Sequence, residues 1–337
     1  MSQGAFICGC SGTKLTAEEI QFLRHWQPWG FILFKRNIES PTQVAELVAS
    51  FRAAIGREDA PVLIDQEGGR VQRLGPPHWR EYPAGARFGE IYARDPLQAL
   101  TAAHLSARLM ADDLHGLGIN VNCVPILDVP VEGAHDIIGD RAYAREPQIV
   151  ALIGRAIMEA MLAGGILPII KHIPGHGRAR ADSHLSLPIV ETSLAELEAW
   201  DFLPFAAFAD APMAMTAHVV FTALDADAPV TLSAKAIGLI RNRLGFSGLL
   251  MSDDISMKAL SGDMQSLSEA AIQAGCDVIL HCNGELDEME AVAKGAGVLS
   301  SFSQTRATNA LARIRKPEFF DKNQSLEVVS RLISASV

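Results

Sequence analysis

The chain has no excess of positive charge, no apolar run long enough to cross a membrane and no paired set of cysteines, and each absence removes a class of function. Against 39 Asp and Glu stand 29 Lys and Arg, a formal charge of −10, and no Lys- or Arg-rich stripe occurs. A nucleic-acid partner is therefore not expected. No stretch reaches about 18 uninterrupted apolar residues. The opening Met1-Ser-Gln-Gly-Ala-Phe-Ile-Cys8 lacks a basic segment followed by an apolar one and a small-residue cleavage site. The sequence reads as that of a soluble cytoplasmic protein with no membrane partner. Its five cysteines, Cys8, Cys10, Cys123, Cys276 and Cys282, are odd in number and sit in apolar runs, where free Cys behaves as a small buried hydrophobe. Cys8-x-Cys10 could be half a metal site, with side chains on one side of a strand, but no Cys or His partner lies nearby in the sequence.

What is present is core material. Of 337 residues, 49% are hydrophobic and 20% charged, which excludes disorder and fibrous structure. Short apolar runs at Gly4–Cys10, Gly30–Lys35, Pro61–Gln66, Asn120–Leu127, Leu167–His172, Pro212–His218, Gly248–Asp253 and Asp277–Cys282 read as strands. Between them, Thr16–Trp26, Pro41–Ala54, Pro96–Leu117, Pro147–Ala163, Ser193–Ala209, Ser233–Leu244, Ser266–Ala274 and Glu285–Gly295 carry helical periodicity, the first opening on a capping box at Thr16 and Glu19. Eight strand–helix alternations predict a single α/β (β/α)8 barrel of the TIM type over residues 1–337, with packing helices after about residue 297. A doubly wound open sheet would want a Gly-x-Gly-x-x-Gly turn after an early strand, and none is there.

In a (β/α)8 barrel the chemistry sits at the C-terminal ends of the strands. Lys35-Arg36, Asp65-Gln66-Glu67, Asp128, Lys171-His172, His218, Asp253-Asp254 and His281–Asn283 each end or follow an apolar run, which predicts a charged mouth. The densest group is Lys171-His-Ile-Pro-Gly-His-Gly177 followed by Asp182-Ser-His184. Asp182 can reach the imidazole of His184 across a turn, fixing its tautomer and raising its pKa toward the range useful for general acid and base work. The same spacing also fits an Asx-turn beside a surface histidine. Asp253 closes the seventh strand facing the mouth, as a nucleophile, a metal ligand or an ion-pair partner, and Asp254 is expected to point away. Asp65 with Arg73, and Arg141 in Gly139-Asp-Arg-Ala-Tyr143, offer hydrogen-bond acceptors and planar donors suited to a sugar or a carboxylate. Asp65 could equally be a structural ion pair, and His218 a satisfied structural histidine.

These motifs, in this order, resemble those of the bacterial β-N-acetylhexosaminidases of glycoside hydrolase family 3. The resemblance spans about Gly4 to Gly295, with Ile173 where many members carry Phe. It implies a retaining glycosidase with Asp253 as nucleophile, His184 as acid/base held by Asp182, and Asp65, Arg73, Arg141, Lys171 and His172 binding N-acetylglucosamine. It further implies no metal and no organic cofactor. The substrate it implies is a terminal β-linked N-acetylglucosamine, removed from 1,6-anhydromuropeptides during peptidoglycan recycling. A monomer is expected. A metal-dependent hydrolase using His172, His176, His184, His218 and an Asp, a β-glucosidase of the same family and a non-catalytic sugar-binding protein are the alternatives.

Overall fold

The structure, a computed structural model, describes residues 3–179, 183 and 186–335. Eight parallel strands close into a barrel in sequence order: β1 (Gly4–Cys8), β2 (Pro28–Leu33), β3 (Val62–Ile64), β4 (Val121–Asn122), β5 (Leu167–Ile173), β6 (Met213–Thr216), β7 (Leu249–Asp254) and β8 (Val278–His281). Closure is made by β1 pairing with both β2 and β8, with Cys8 opposite Phe31 and His281. Each predicted strand is present, most of them shorter than predicted, and the open-sheet alternative is excluded.

The strands are continuous apolar runs because both of their faces are buried. Alternation sends Ile7, Ile32, Leu63, Ile169, Met251 and Leu280 into the barrel interior, while Phe6, Phe31, Ile64, Ile170, Leu250 and Ile279 join the layer beneath the helices. In that layer Phe31 stacks on Phe51 with ring centroids 4.6 Å apart. Burying a side chain of this size contributes about 1.5–3 kcal/mol.

Most of the helices follow their predicted signals. In α1 (Ala17–Trp26) the Thr16 hydroxyl accepts from Glu19 N and the Glu19 carboxylate accepts from Thr16 N. Next come α2 (Pro41–Ile55), α3 (Gly85–Tyr92), α4 (Pro96–His115) and α5 (Pro147–Ala163). The predicted helix Ser193–Ala209 is instead two pieces, α6 (Leu194–Ala199) and α7 (Leu203–Ala206). Pro204 can sit only in the first turn of the second piece, and between the two Asp201 turns inward to Arg178. The series ends with α8 (Ala234–Asn242), α9 (Met264–Ala274), α10 (Leu286–Ala296), α11 (Ser301–Leu311) and α12 (Lys322–Ser334). The C-terminal helices do more than cover the surface: Ala307 and Ala310 of α11 belong to the barrel-interior cluster, and α12 packs on α4 and α3. No described helix is long and apolar enough to cross a membrane.

Candidate active site

The C-terminal strand ends surround a pocket of about 230 Å3 whose walls include Asp65, Glu67, Arg73, Arg141, Lys171, His172, His176, Ser183, Asp253 and Asp254. The predicted nucleophile Asp253 and the predicted sugar-binding residues Asp65, Arg73, Arg141, Lys171 and His172 are in that wall, whereas Lys35, Arg36, Asp128, His218, His281 and Asn283, also expected at the mouth, are not among the lining residues. Asp182 and His184 lie outside the described residues.

One side of the pocket is an ion network. Lys171, at the end of β5 and 3% exposed, sets its ammonium 2.8 Å from Asp65 Oδ1 and 2.7 Å from Glu67 Oε1. Arg73 Nη2 is 3.0 Å from Asp65 Oδ2. Arg141 grips Glu67 with two parallel bonds of 2.8 and 2.9 Å, the fork geometry that only a guanidinium supplies. Burial pushes both carboxyls up, but the adjacent cations more than offset it, leaving Asp65 well below the usual carboxylate range and Glu67 lowered from its ordinary value. Glu67 was not singled out from the sequence. The signal was there: it lies two residues beyond Asp65, on the same side of an extended chain. The Gly68-Gly69 pair, both at positive φ, turns the chain into a short hairpin of Gln66–Gly68 with Val71–Gln72 and so returns Arg73 to Asp65.

Facing this network is Asp253 at the end of β7. Its Oδ1 accepts the Asp254 N–H at 2.8 Å. Burial raises this carboxyl, yet the His172 and His218 rings, the Asp254 N–H and Lys171 together hold it below its ordinary value. Asp253 is therefore an anion at neutral pH. The expectation that Asp254 points away needs correcting, because Asp254 also lines the pocket. The pairing of β7 with β8 shifts register between Met251 and Asp254, so simple alternation no longer applies. Asp254 Oδ1 is engaged by Ser256 N and Oγ and by Cys282 N, which makes it a tie between loops.

The histidines divide by their partners. His172 Nδ1 lies 2.7 Å from Asp128 Oδ2, while Asp128 Oδ1 accepts the backbone N–H of His172 at 3.2 Å and of His176 at 2.7 Å. Asp128, fully buried, thus fixes the His172 ring at the pocket wall. His218 uses both nitrogens on the protein, Nδ1 with Thr231 Oγ1 and Nε2 with the Asp254 carbonyl, which matches the structural-histidine reading. Arg36 is bound to the Cys10 and Cys282 carbonyls and ties the β1 and β8 ends together. β1 stops at Cys8, so Cys8 and Cys10 do not share a strand face; both are free and buried. Among the described residues no group of three or more His, Cys, Asp or Glu side chains is arranged to hold a metal ion.

A family model described as the glycosyl hydrolase family 3 N terminal domain matches residues 6–316. The beta-hexosaminidase of Xanthomonas axonopodis pv. citri (strain 306) is 42% identical over 287 residues, covering 83% of this chain and 84% of that protein. That of Bordetella avium (strain 197N) is 35% identical over 285 residues, covering 83% and 81%. Among solved structures, NagZ from Neisseria gonorrhoeae in complex with N-trifluoroacetyl-D-glucosamine has a TM-score of 0.87 at 30% identity, covering 100% of this chain and 99% of that one. With a closed barrel, an anionic carboxylate facing a network of cations and carboxylates at its mouth, and relatives this similar along most of the sequence, the chain belongs to glycosyl hydrolase family 3, among its bacterial β-N-acetylhexosaminidases, and is a glycoside hydrolase.

Proposed function

We propose that this enzyme is a retaining exo-β-N-acetylglucosaminidase that removes terminal, non-reducing N-acetylglucosamine through a covalent glycosyl-aspartate. The observation that carries this is Asp253, held anionic on one wall of a pocket of about 230 Å3 and faced by the Asp65, Glu67, Lys171, Arg73 and Arg141 network. A pocket of that size suits one terminal sugar unit, and the network offers donors and acceptors for its hydroxyls. In the first step an Asp253 oxygen attacks the anomeric carbon while the bond to the leaving oxygen breaks and His184, as imidazolium, gives that oxygen a proton. In the second step neutral His184 takes a proton from water, whose oxygen displaces Asp253. Asp182 holds His184 in its tautomer. This is the retaining scheme with a His–Asp pair in place of the usual second carboxylic acid.

Asp65, Arg73, Lys171 and His172 are the sugar-binding groups. Arg141 shares that role, and its bidentate hold on Glu67 keeps the network rigid. The natural substrate in this reading is a 1,6-anhydromuropeptide met in the cytoplasm during peptidoglycan recycling, handled by one barrel domain acting as a monomer without metal or organic cofactor.

The test is release of nitrophenol from an aryl β-N-acetylglucosaminide beside the corresponding β-glucoside, with EDTA present and Asp253→Ala in parallel. Turnover selective for the acetamido sugar, indifferent to EDTA and lost in the variant is expected. Activity abolished by EDTA would overturn the metal-free mechanism. Equal turnover of the glucoside would replace the acetamido specificity with β-glucosidase activity, and no turnover of either sugar would leave a sugar-binding protein. Mass spectrometry after reaction with a 2-deoxy-2-fluoro glycoside checks the intermediate, which is expected on the Asp253 peptide.

A further inference from the structure

Ser183 separates Asp182 from His184 in the chain, and it is buried, only 3% exposed. It is held from two directions. Its Oγ lies 3.1 Å from Nε2 of His176, and its carbonyl accepts the Ala259 N–H at 3.1 Å. One bond ties it to the Gly-rich stretch after β5, the other to the loop that follows Asp253 on β7. His176 is itself immobilised, since its backbone N–H donates to the same Asp128 carboxylate that orients His172. Its ring is buried, Nδ1 has no partner among the described residues, and burial lowers its pKa to about 4. A neutral imidazole taken out of water for a single ring hydrogen bond among the described residues is a costly arrangement, and a buried polar group left half-satisfied in this way calls for an explanation.

We propose that the His176–Ser183 hydrogen bond is a positioning latch for the acid/base: it fixes Ser183, the chain neighbour of both Asp182 and His184, in the pocket wall, on the same frame that carries Asp253. The latch rests on the reading of His184 as acid/base. Ser183 and His176 are positioning residues, since neither has to touch the reacting atoms. Losing the latch reduces the fraction of molecules in which the acid is aligned. Misplacement of about 1 Å is enough to lower a rate about 100-fold, and general acid catalysis matters most when the leaving group is poor.

The experiment compares Ser183→Ala, Ser183→Thr and His184→Ala on two β-N-acetylglucosaminides, one with a sugar or alkyl leaving group and one with dinitrophenol, reading kcat/KM and the thermal midpoint. For Ser183→Ala we expect a loss of about 10- to 100-fold on the poor leaving group and under about 3-fold on dinitrophenol, where protonation contributes little. The protein should remain folded, and Ser183→Thr, which retains a hydroxyl, should recover most of the loss. Wild-type behaviour of Ser183→Ala, equal losses on both substrates, or equal impairment of the Thr and Ala variants would each overturn the latch. His184→Ala keeps the two ideas apart. If it loses selectively on the poor leaving group while Ser183→Ala does not, the latch fails alone; if it loses equally on both substrates, the acid/base reading fails and takes the latch with it.

Discussion

The barrel carries a buried ion network at each end, built from the same residue types to opposite effect. At the N-terminal end Asp277 opens β8 and receives four bonds: Arg241 Nη2 at 2.7 Å and Leu250 N at 2.9 Å on one oxygen, Ser303 Oγ and Arg306 Nη1, both at 2.8 Å, on the other. A carboxylate has about four acceptor sites, so Asp277 is saturated by the protein and fastens α8 and α11 to the barrel. At the other end the charges face open volume. Among the described residues Asp253 receives one backbone N–H, and the buried Arg73 Nε has no partner. What distinguishes a site from a staple here is how much hydrogen-bonding capacity remains for a ligand, since charge is dense at both ends.

Substitutions that exchange the fates of the two ends give the sharpest test. Asp253→Ala removes the group with the most unfilled capacity. Turnover of an aryl N-acetylglucosaminide should fall by roughly 10,000-fold or more, as for other nucleophile deletions, while the thermal midpoint holds or rises because a buried anion has gone. Asp277→Asn should do the reverse. Breaking a buried ion pair from one side costs about 3–5 kcal/mol, which for a chain of this length lowers the midpoint by roughly 4–7 °C, with kcat/KM close to wild type at 25 °C. A loss of activity in Asp277→Asn without a loss of stability would mean that the two ends are coupled.

Lys171→Met asks whether the mouth also works as a staple. It strips Asp65 and Glu67 of their shared cation, so kcat/KM should fall by roughly 100-fold, the weight of a charged hydrogen bond or two. Stability should fall as well, in a pH-dependent way. Both carboxyls have folded pKa values below their unfolded ones, so the stability they contribute is complete above about pH 4 and is lost as the pH falls through the folded values. The gap in melting temperature between wild type and Lys171→Met should therefore be widest at neutral pH and narrow below about pH 4. A gap unchanged by pH would show that Lys171 stabilises by packing alone. His176 adds a separate slope in both proteins: kept neutral down to about pH 4, it contributes stability above its unfolded value of about 6.5 that is lost as the pH falls from there toward 4.

The strand ends that build the mouth were legible in the sequence because the barrel obliges apolar runs to stop where polar groups begin. Lys171, His172, Asp65 and Asp253 could be placed from that rule alone, and the capping box at Thr16 marked the start of a helix to the residue. Partnerships were not legible. Asp128 and His172 are 44 residues apart, and nothing local says that one carboxylate serves both His172 and His176. The helix Gly85–Tyr92 was missed for a similar reason. It has no side-chain cap, and Gly85 and Gly89 are poor helix formers, yet they are what lets it approach the chain around Arg141. A Cβ on Gly85 would lie 2.2 Å from the Arg141 carbonyl oxygen, and one on Gly89 would lie 1.9 Å from that of Tyr143. That contact supports the residue that grips Glu67, and only the assembled fold contains it.

The smallest effect separates the two arginines on Asp277. Arg241 is 15% exposed and also donates to the Phe246 and Gly248 carbonyls, whereas Arg306 is 31% exposed and makes only its Asp277 contact among the described residues. Water screens the second more, and partly exposed pairs contribute under about 1 kcal/mol. Arg306→Leu should therefore lower the melting temperature by about 1 °C or less, and added salt should narrow even that difference. Arg241→Leu should lower it several times further, because two carbonyls lose a donor along with the carboxylate. Equal losses for the two would mean that Asp277 depends on both cations alike. The floor of the barrel would then be a tuned electrostatic centre like the mouth, and unfilled capacity would no longer suffice to tell a site from a staple.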